Sequence, residues 1–129
     1  ANGMVSMQPK TLDLILDQKI QKGDVFQVAN LAGIMAAKKT DQLIPLCHSL
    51  PISYIKINFE TRKEESCIII TAEASLIGKT GVEMEALTAV SVSALTIYDM
   101  CKSVDKTITI SSIKLKHKSG GKSGVFNDK

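Results

Sequence analysis

Thirteen consecutive residues, Ala86 to Tyr98, carry no charge, and no other stretch limits the possible folds as tightly. Crossing a bilayer takes about 20 predominantly apolar residues, so this run, with its four Ser and Thr hydroxyls, is too short. It reads as the middle of a long helix from about Val82 to Ser103. Glu83 and Glu85 fall in the first turn, where the helix dipole favours carboxylates. Asp99 and Lys102 close the helix at i, i+3.

A helix this apolar needs a layer to pack against, and the chain supplies strands for one. Ile55, Ile57 and Phe59 point one way, while Tyr54, Lys56, Asn58 and Glu60 point the other, the two-residue period of a half-buried strand. A polar turn, Thr61 to Ser66, leads to a second strand, Cys67 to Leu76, and together they predict an antiparallel hairpin. Upstream, Met4 to Met7 reads as a short strand. Thr11 to Ile20 reads as a helix stopped by Gly23. Asp24 predicts an N-cap, with Gln27 three residues on, for a helix running to about Thr40. Ala29, Gly33 and Ala37 give that helix a narrow, close-packing side. Pro45 and Pro51 bracket an irregular segment. The final strand begins at Thr107, and its phase flips between Ile110 and Ile113, which predicts a bulge at Ser111–Ser112. Ser119 to Gly124 is too rich in Gly to be regular.

The order is strand, two helices, two strands, helix, strand. That is a split βαβ plan with one extra helix, and it predicts an α+β ferredoxin-like sandwich over residues 1–129 as a single domain. A four-stranded antiparallel sheet would carry its helices on one face. Its other face must be polar or buried against another subunit.

Sixteen basic and thirteen acidic residues leave a formal charge of only +3, too little to argue for nucleic acid or an anionic membrane. Fifteen of the sixteen are Lys; Arg62 is the only Arg. From Lys102 onward seven Lys face two Asp, so the basicity is local. With no Trp, two Tyr and three Phe, a base-stacking platform is poorly supplied, and the strand Cys67 to Leu76 has no aromatic residue. Cys47, Cys67 and Cys101 are odd in number, widely spaced and free of any CxxC, which points to a reduced cytosolic chain. The first ten residues lack the basic-then-apolar layout of a secretory signal.

Two stretches imitate phosphate loops and fail the spacing. The Walker pattern needs Gly five residues before its Gly-Lys-Ser/Thr, but that position holds Glu73 before Gly78 and Lys116 before Gly121. Gly78 to Gly81 still lies at a strand-to-helix junction, either as a tight turn with solvated Lys79 or as an anion site. Asp99 and Lys102 fit two accounts, a salt bridge ending the helix or a proton-transfer pair in which each group tunes the other's pKa. Glu85 and Asp99 lie within about 40° of one another around the helix but roughly 21 Å apart along it. Both belong to one active site only if the substrate is long or the site joins two subunits. Cys47-His48 is a weak nucleophile motif, and three Cys with two His lack the spacing of a metal site. His48 reads either as a ligand-facing donor or as a hydrogen-bonded loop residue. His117 shares phase with Ile113 and Leu115 and reads as a core histidine, and Lys114, Lys116 and Lys118 as a solvated stripe. The lysine excess suggests a phosphorylated small molecule held by point charges.

Six blocks together resemble one family. They are KGDVF (22–26), AGIMAAKKT (32–40), LIPLCH (43–48), GKTGVEMEALT (78–88), ALTIYDMCK (94–102) and KSGGKSG (118–124), in order across essentially the whole chain. The chain resembles the cyclic pyranopterin monophosphate synthase family, MoaC, of molybdenum cofactor biosynthesis. The resemblance implies conversion of (8S)-3′,8-cyclo-7,8-dihydroguanosine 5′-triphosphate into cyclic pyranopterin monophosphate and diphosphate, a lyase reaction needing no cofactor. It implies a cytoplasmic hexamer, a trimer of dimers with active sites at the dimer interface. The family's catalytic Asp falls on Asp99 and its partner Lys on Lys102. Its substrate-binding residues fall on Leu46, Cys47, His48, Met84 and Glu85, and further active-site positions on Lys22, Lys38, Glu83 and Lys118. Three departures stand out. The sequence as it stands lacks the family's usual N-terminal segment, Ser49 replaces the Pro after Cys-His, and Val125 replaces an Asp.

Overall fold

The computed structural model describes residues 1–78, 81–121 and 124–128. Four strands, β1 (Asn2–Ser6), β2 (Tyr54–Arg62), β3 (Cys67–Ser75) and β4 (Thr109–Lys114), form an antiparallel sheet in the order β2-β3-β1-β4. Helices α1 (Pro9–Leu16), α2 (Val25–Lys38), α3 (Thr40–Leu43) and α4 (Glu83–Cys101) fill the connections. The expected ferredoxin-like sandwich is therefore present.

The alternation that predicts β2 decides which face meets the helices. Ile57 pairs with Ala72 and Phe59 with Ile70, and these point inward with Ile68 and with Val5 on the central strand. Leu12 and Ile15 of α1, Val25, Ala29 and Ala37 of α2, and Ala89, Val90, Ala94 and Ile97 of α4 complete the same core. The opposite face shows exposed Lys56, Asn58, Glu60 and Glu73 around a half-buried Met4–Ile69 pair. It is mainly polar.

The small side of α2 serves as predicted. A Cβ at Gly33 would collide with Ser93 Oγ and Ile57 Cδ1 and lie 3.0 Å from Ala89 O, so only Gly permits this approach of α4. Ser93 Oγ donates to Ala29 O at 2.9 Å across the contact. Elsewhere on α4, Ser91 donates to Leu87 O and Thr96 to Val92 O. These bonds let the charge-free middle of the helix hold these hydroxyls without bulk water.

Asp24 caps α2 as expected, its Oδ1 accepting from Gln27 N–H at 3.2 Å. The β4 bulge also forms. Met4 faces Ser111 and Asn2 faces Lys114, three steps against two, with Ser112 at φ 56°. The segment between Pro45 and Pro51 is irregular apart from turns.

Four expectations need correction. The first helix spans Pro9–Leu16, not Thr11–Ile20, and Gly23 does not stop it. Pro9 at the first helical position starts it early. Gln18, at φ 55°, ends it in a Schellman motif, with Gln18 N–H donating to Ile15 O and Lys19 N–H to Leu14 O. The last sheet strand begins at Thr109, because the Asp105 carboxylate holds Thr107 in a turn. His117 is exposed rather than in the core. After the bulge the chain enters a two-stranded hairpin of β5 (His117–Lys118) and β6 (Phe126–Asn127), where His117 Nδ1 meets Asn127 Oδ1. The Gly-rich tail thus joins two short strands, with residues 122 and 123 outside the described set. The expected solvated stripe does not hold at Lys118, whose side chain is only 17% exposed against Glu83, whereas Lys114 stays half exposed beside Asp128.

Candidate active site at the two ends of helix α4

At its C-terminal end, α4 presents Asp99 one turn before Lys102, and a third residue joins them from far upstream. Lys22, on the connection between α1 and α2, donates from Nζ to Asp99 Oδ2 at 2.9 Å and to Asp99 O at 3.3 Å. Lys102 Nζ donates to Asp99 Oδ1 at 2.8 Å. A carboxylate in the last turn opposes the helix dipole, and the two ammonium groups offset that. Hydrogen bonds from Lys102, then Lys22, hold the Asp99 carboxyl down at about 2, and Asp99 in turn pushes Lys102 up. Asp99 is thus an anion and Lys102 a cation at neutral pH. The Asp99 side chain is 56% exposed, so the triad lies at the surface of the chain.

The N-terminal end has the opposite character. Lys118, arriving from β5, donates to Glu83 Oε1 at 3.1 Å, with the two side chains only 17% and 31% exposed. The other oxygen, Glu83 Oε2, is buried and has no hydrogen-bond partner among the described residues. Burial pushes the Glu83 carboxyl up, but its own backbone N–H and Lys118 outweigh that and leave it lowered. Glu85, buried beside it, is raised, first by burial and then by the charges of Glu83 and Asp41. Met84 is half-buried. A cleft of about 680 Å³ opens here, walled by Tyr54, Glu73, Glu83, His117 and Lys118 among others.

The Leu46-Cys47-His48 loop belongs to this same end. Burial raises the Cys47 thiol, and so do Glu85, Asp41 and Glu83, which places the loop within electrostatic reach of the start of α4. A raised thiol stays protonated and makes a poor nucleophile. Leu46 is fully exposed at φ 58°, and His48 is exposed. Lys38 is exposed on the last turn of α2. Ala29 meets Ser93 and Gly33 meets Ala89, so α2 runs antiparallel to α4 and brings Lys38 level with its first turn.

The sequence-predicted residues therefore divide into two groups. Lys22, Asp99 and Lys102 meet at one end of α4, while Lys38, Leu46, Cys47, His48, Glu83, Met84, Glu85 and Lys118 gather towards the other. Glu83 and Asp99 are separated by about 24 Å of helix. Two residues escaped the sequence reading: Asp41, which acts on Glu85 and Cys47, and Asp105. The Asp-x-Thr pattern of Asp105 and Thr107 was the one available signal, as a turn former. Among the described residues no three His, Cys, Asp or Glu side chains gather as a metal ion would need, and no helix is long and apolar enough to cross a membrane.

The sequence model of the MoaC family matches residues 1–121. The chain belongs to the MoaC family. A MoaC relative from Pelotomaculum thermopropionicum, named cyclic pyranopterin monophosphate synthase, is 59% identical over 129 residues, covering 100% of this chain and 76% of its own. Proteins of the same name from Magnetococcus marinus and Desulfatibacillum aliphaticivorans are 55% and 57% identical over 126 residues, 98% of this chain and 77% and 79% of theirs.

Proposed function

We propose that this chain is a cyclic pyranopterin monophosphate synthase, a lyase of molybdenum cofactor biosynthesis. It converts (8S)-3′,8-cyclo-7,8-dihydroguanosine 5′-triphosphate into cyclic pyranopterin monophosphate and releases diphosphate. The observation that carries the reading is identity of 59% along the whole chain to a relative of that name, with the Lys22–Asp99–Lys102 triad assembled from distant segments.

In this reading Asp99 takes and Lys102 gives protons during ring opening and pterin formation. An anion and a cation 2.8 Å apart supply both functions at neutral pH. A carboxylate held near 2 in open water is a weak base. It strengthens once substrate displaces water and draws an ammonium away towards phosphate. Lys22, Lys38 and Lys118 hold the triphosphate and stabilise the departing diphosphate. His48, Glu85, Met84, Leu46 and Cys47 form the wall for base and sugar, and Glu83 aligns Lys118. The chain acts as a homo-oligomer, a hexamer built as a trimer of dimers, with one end of α4 from each of two subunits in every site. The separation of the two ends and the openness of the triad both support that arrangement. A small soluble substrate and three free cysteines accord with a cytoplasmic location.

Mass spectrometry of the purified chain with the cyclic nucleotide triphosphate tests the reading. The wild type should form product, and Asp99→Asn should lower turnover by about 10²–10⁴ while keeping its circular dichroism. Nucleotide recovered unchanged from the wild type would make the chain a binding protein instead, and full turnover by the variant would remove Asp99 from the chemistry.

A further inference from the structure

One buried carboxylate lies outside both groups. Asp105, in the turn between α4 and β4, is 4% exposed. Its Oδ1 accepts from Thr107 N–H at 2.8 Å and Thr107 Oγ1 at 2.6 Å, which is what the local turn requires. Its Oδ2 serves a different purpose, accepting from Gln8 N–H at 3.0 Å and Thr11 Oγ1 at 2.8 Å, the N-cap residue and the first turn of α1. Burial pushes this carboxyl up, but the Thr107 hydroxyl, Gln8 N–H and the remaining donors outweigh it and hold it at about 2. Asp105 N–H donates in turn to Cys101 O, so the carboxylate is fixed to the end of α4.

These bonds tie the start of α1 to the turn that follows α4. From the other end of α1, the chain turns at Gln18 and again where Gly23 N–H meets Ile20 O, and Lys22 reaches back to Asp99. Lys22 is half exposed, and an ion pair in that setting gains little by itself while its long side chain loses rotamer freedom. What keeps it on Asp99 is where its backbone begins.

We infer that Asp105 is a positioning residue: by fastening α1 through Gln8 and Thr11, it sets the point from which Lys22 reaches Asp99. This rests on the synthase reading of Asp99. Asp105 itself touches no group assigned to the reaction.

A double-mutant cycle with Lys22 tests it. Asp105→Asn keeps the size of the side chain but sets an amide N–H₂ against the Gln8 N–H. It should lower kcat/KM about 10-fold, and under about 2-fold further in a Lys22→Met background. Equal losses in both backgrounds would overturn the inference and leave Asp105 a purely structural residue. A second readout needs no turnover. In ¹³C carboxylate titrations of the intact protein, the Asp99 midpoint should rise towards the ordinary range in Asp105→Asn, as in Lys22→Met; an unmoved midpoint would overturn the link. If Asp105→Asn does not fold, Thr11→Val, which removes one donor, should give the same non-additivity at about 3-fold. An inactive wild type would defeat the synthase reading, and the titration would still decide the inference about Asp105.

Discussion

The two ends of α4 carry carboxylate–lysine contacts of similar length in opposite surroundings. Glu83 and Lys118 lie 3.1 Å apart and are mostly buried, whereas Asp99 sits 2.8 and 2.9 Å from two lysines with about half of each side chain in water. At the buried end, burial is the largest influence on Glu83 and on Glu85. At the exposed end, hydrogen bonds to Lys102 and Lys22 dominate Asp99, and burial contributes last. Exposed ion pairs stabilise a fold by about 0–1 kcal/mol at most, so the triad has little value as a structural clip. Each end lacks what the other has: one has a cleft and a buried anion, the other a proton donor and acceptor in the open.

Subunit exchange gives the largest expected effect. Asp99→Asn disables the exposed end and Lys118→Met the buried end, and each alone should lose about 10²–10⁴ in turnover. If every site combines one end from each of two subunits, mixed dimers regain one intact site. Mixing the two variants after dissociation should then restore about a quarter of wild-type product formation. A mixture that stays inactive would mean that each chain's two ends serve separate sites.

A smaller effect separates packing from charge at the buried end. A Cβ at Gly81 would lie 2.6 Å from Lys118 Cε and 2.8 Å from Glu83 Oε2, both far ends of flexible side chains. Gly81→Ala should therefore swing the pair apart rather than disturb the core. We expect kcat/KM to fall about 10-fold, with stability changed by less than about 1 kcal/mol in denaturant unfolding. Unchanged kcat/KM would show that the alignment of Glu83 with Lys118 does not matter to the reaction.

Much of the fold was legible because its signals are local. The alternation around Ile57, the Asp24 cap and the phase flip at Ser111–Ser112 each report burial or hydrogen bonding within a few residues. The end of α1 was misread because the left-handed capping position holds Gln18 rather than the usual Gly. His117 was misread because its partner, Asn127, lies beyond a Gly-rich loop whose closure no local pattern announces. At the site, Asp99 and Lys102 were legible from i, i+3 spacing. The 77-residue separation of Lys22 and Asp99 carries no periodic signal, and only the family resemblance brought Lys22 into the site. Asp105 went unread because its reach to Gln8 and Thr11 is a product of the tertiary fold.

The smallest effect concerns stability and follows from the sign of two shifts. Asp99 is lowered to about 2 from 3.8, so its contribution is present above the ordinary value and disappears only as pH falls through the folded one. Between pH 5 and 8 the exposed end should leave the melting temperature level. Glu85 is shifted the other way, raised above the ordinary glutamate value by burial and by Glu83 and Asp41. The folded state disfavours its charge, so the penalty is complete above the raised value and vanishes below the unfolded one. Glu85→Gln removes the charge at nearly constant volume. It should stabilise the fold at pH 7–8 by about 0.5–2 kcal/mol, the usual gain from a stabilising substitution, and lower turnover if Glu85 contacts substrate. That advantage should shrink as the solution is acidified and be gone below the ordinary Glu range, where wild-type Glu85 is neutral in both states. Thermal unfolding of the two proteins across pH 4–8 measures this. A melting-temperature difference independent of pH would mean that Glu85 is not the strained group at the buried end.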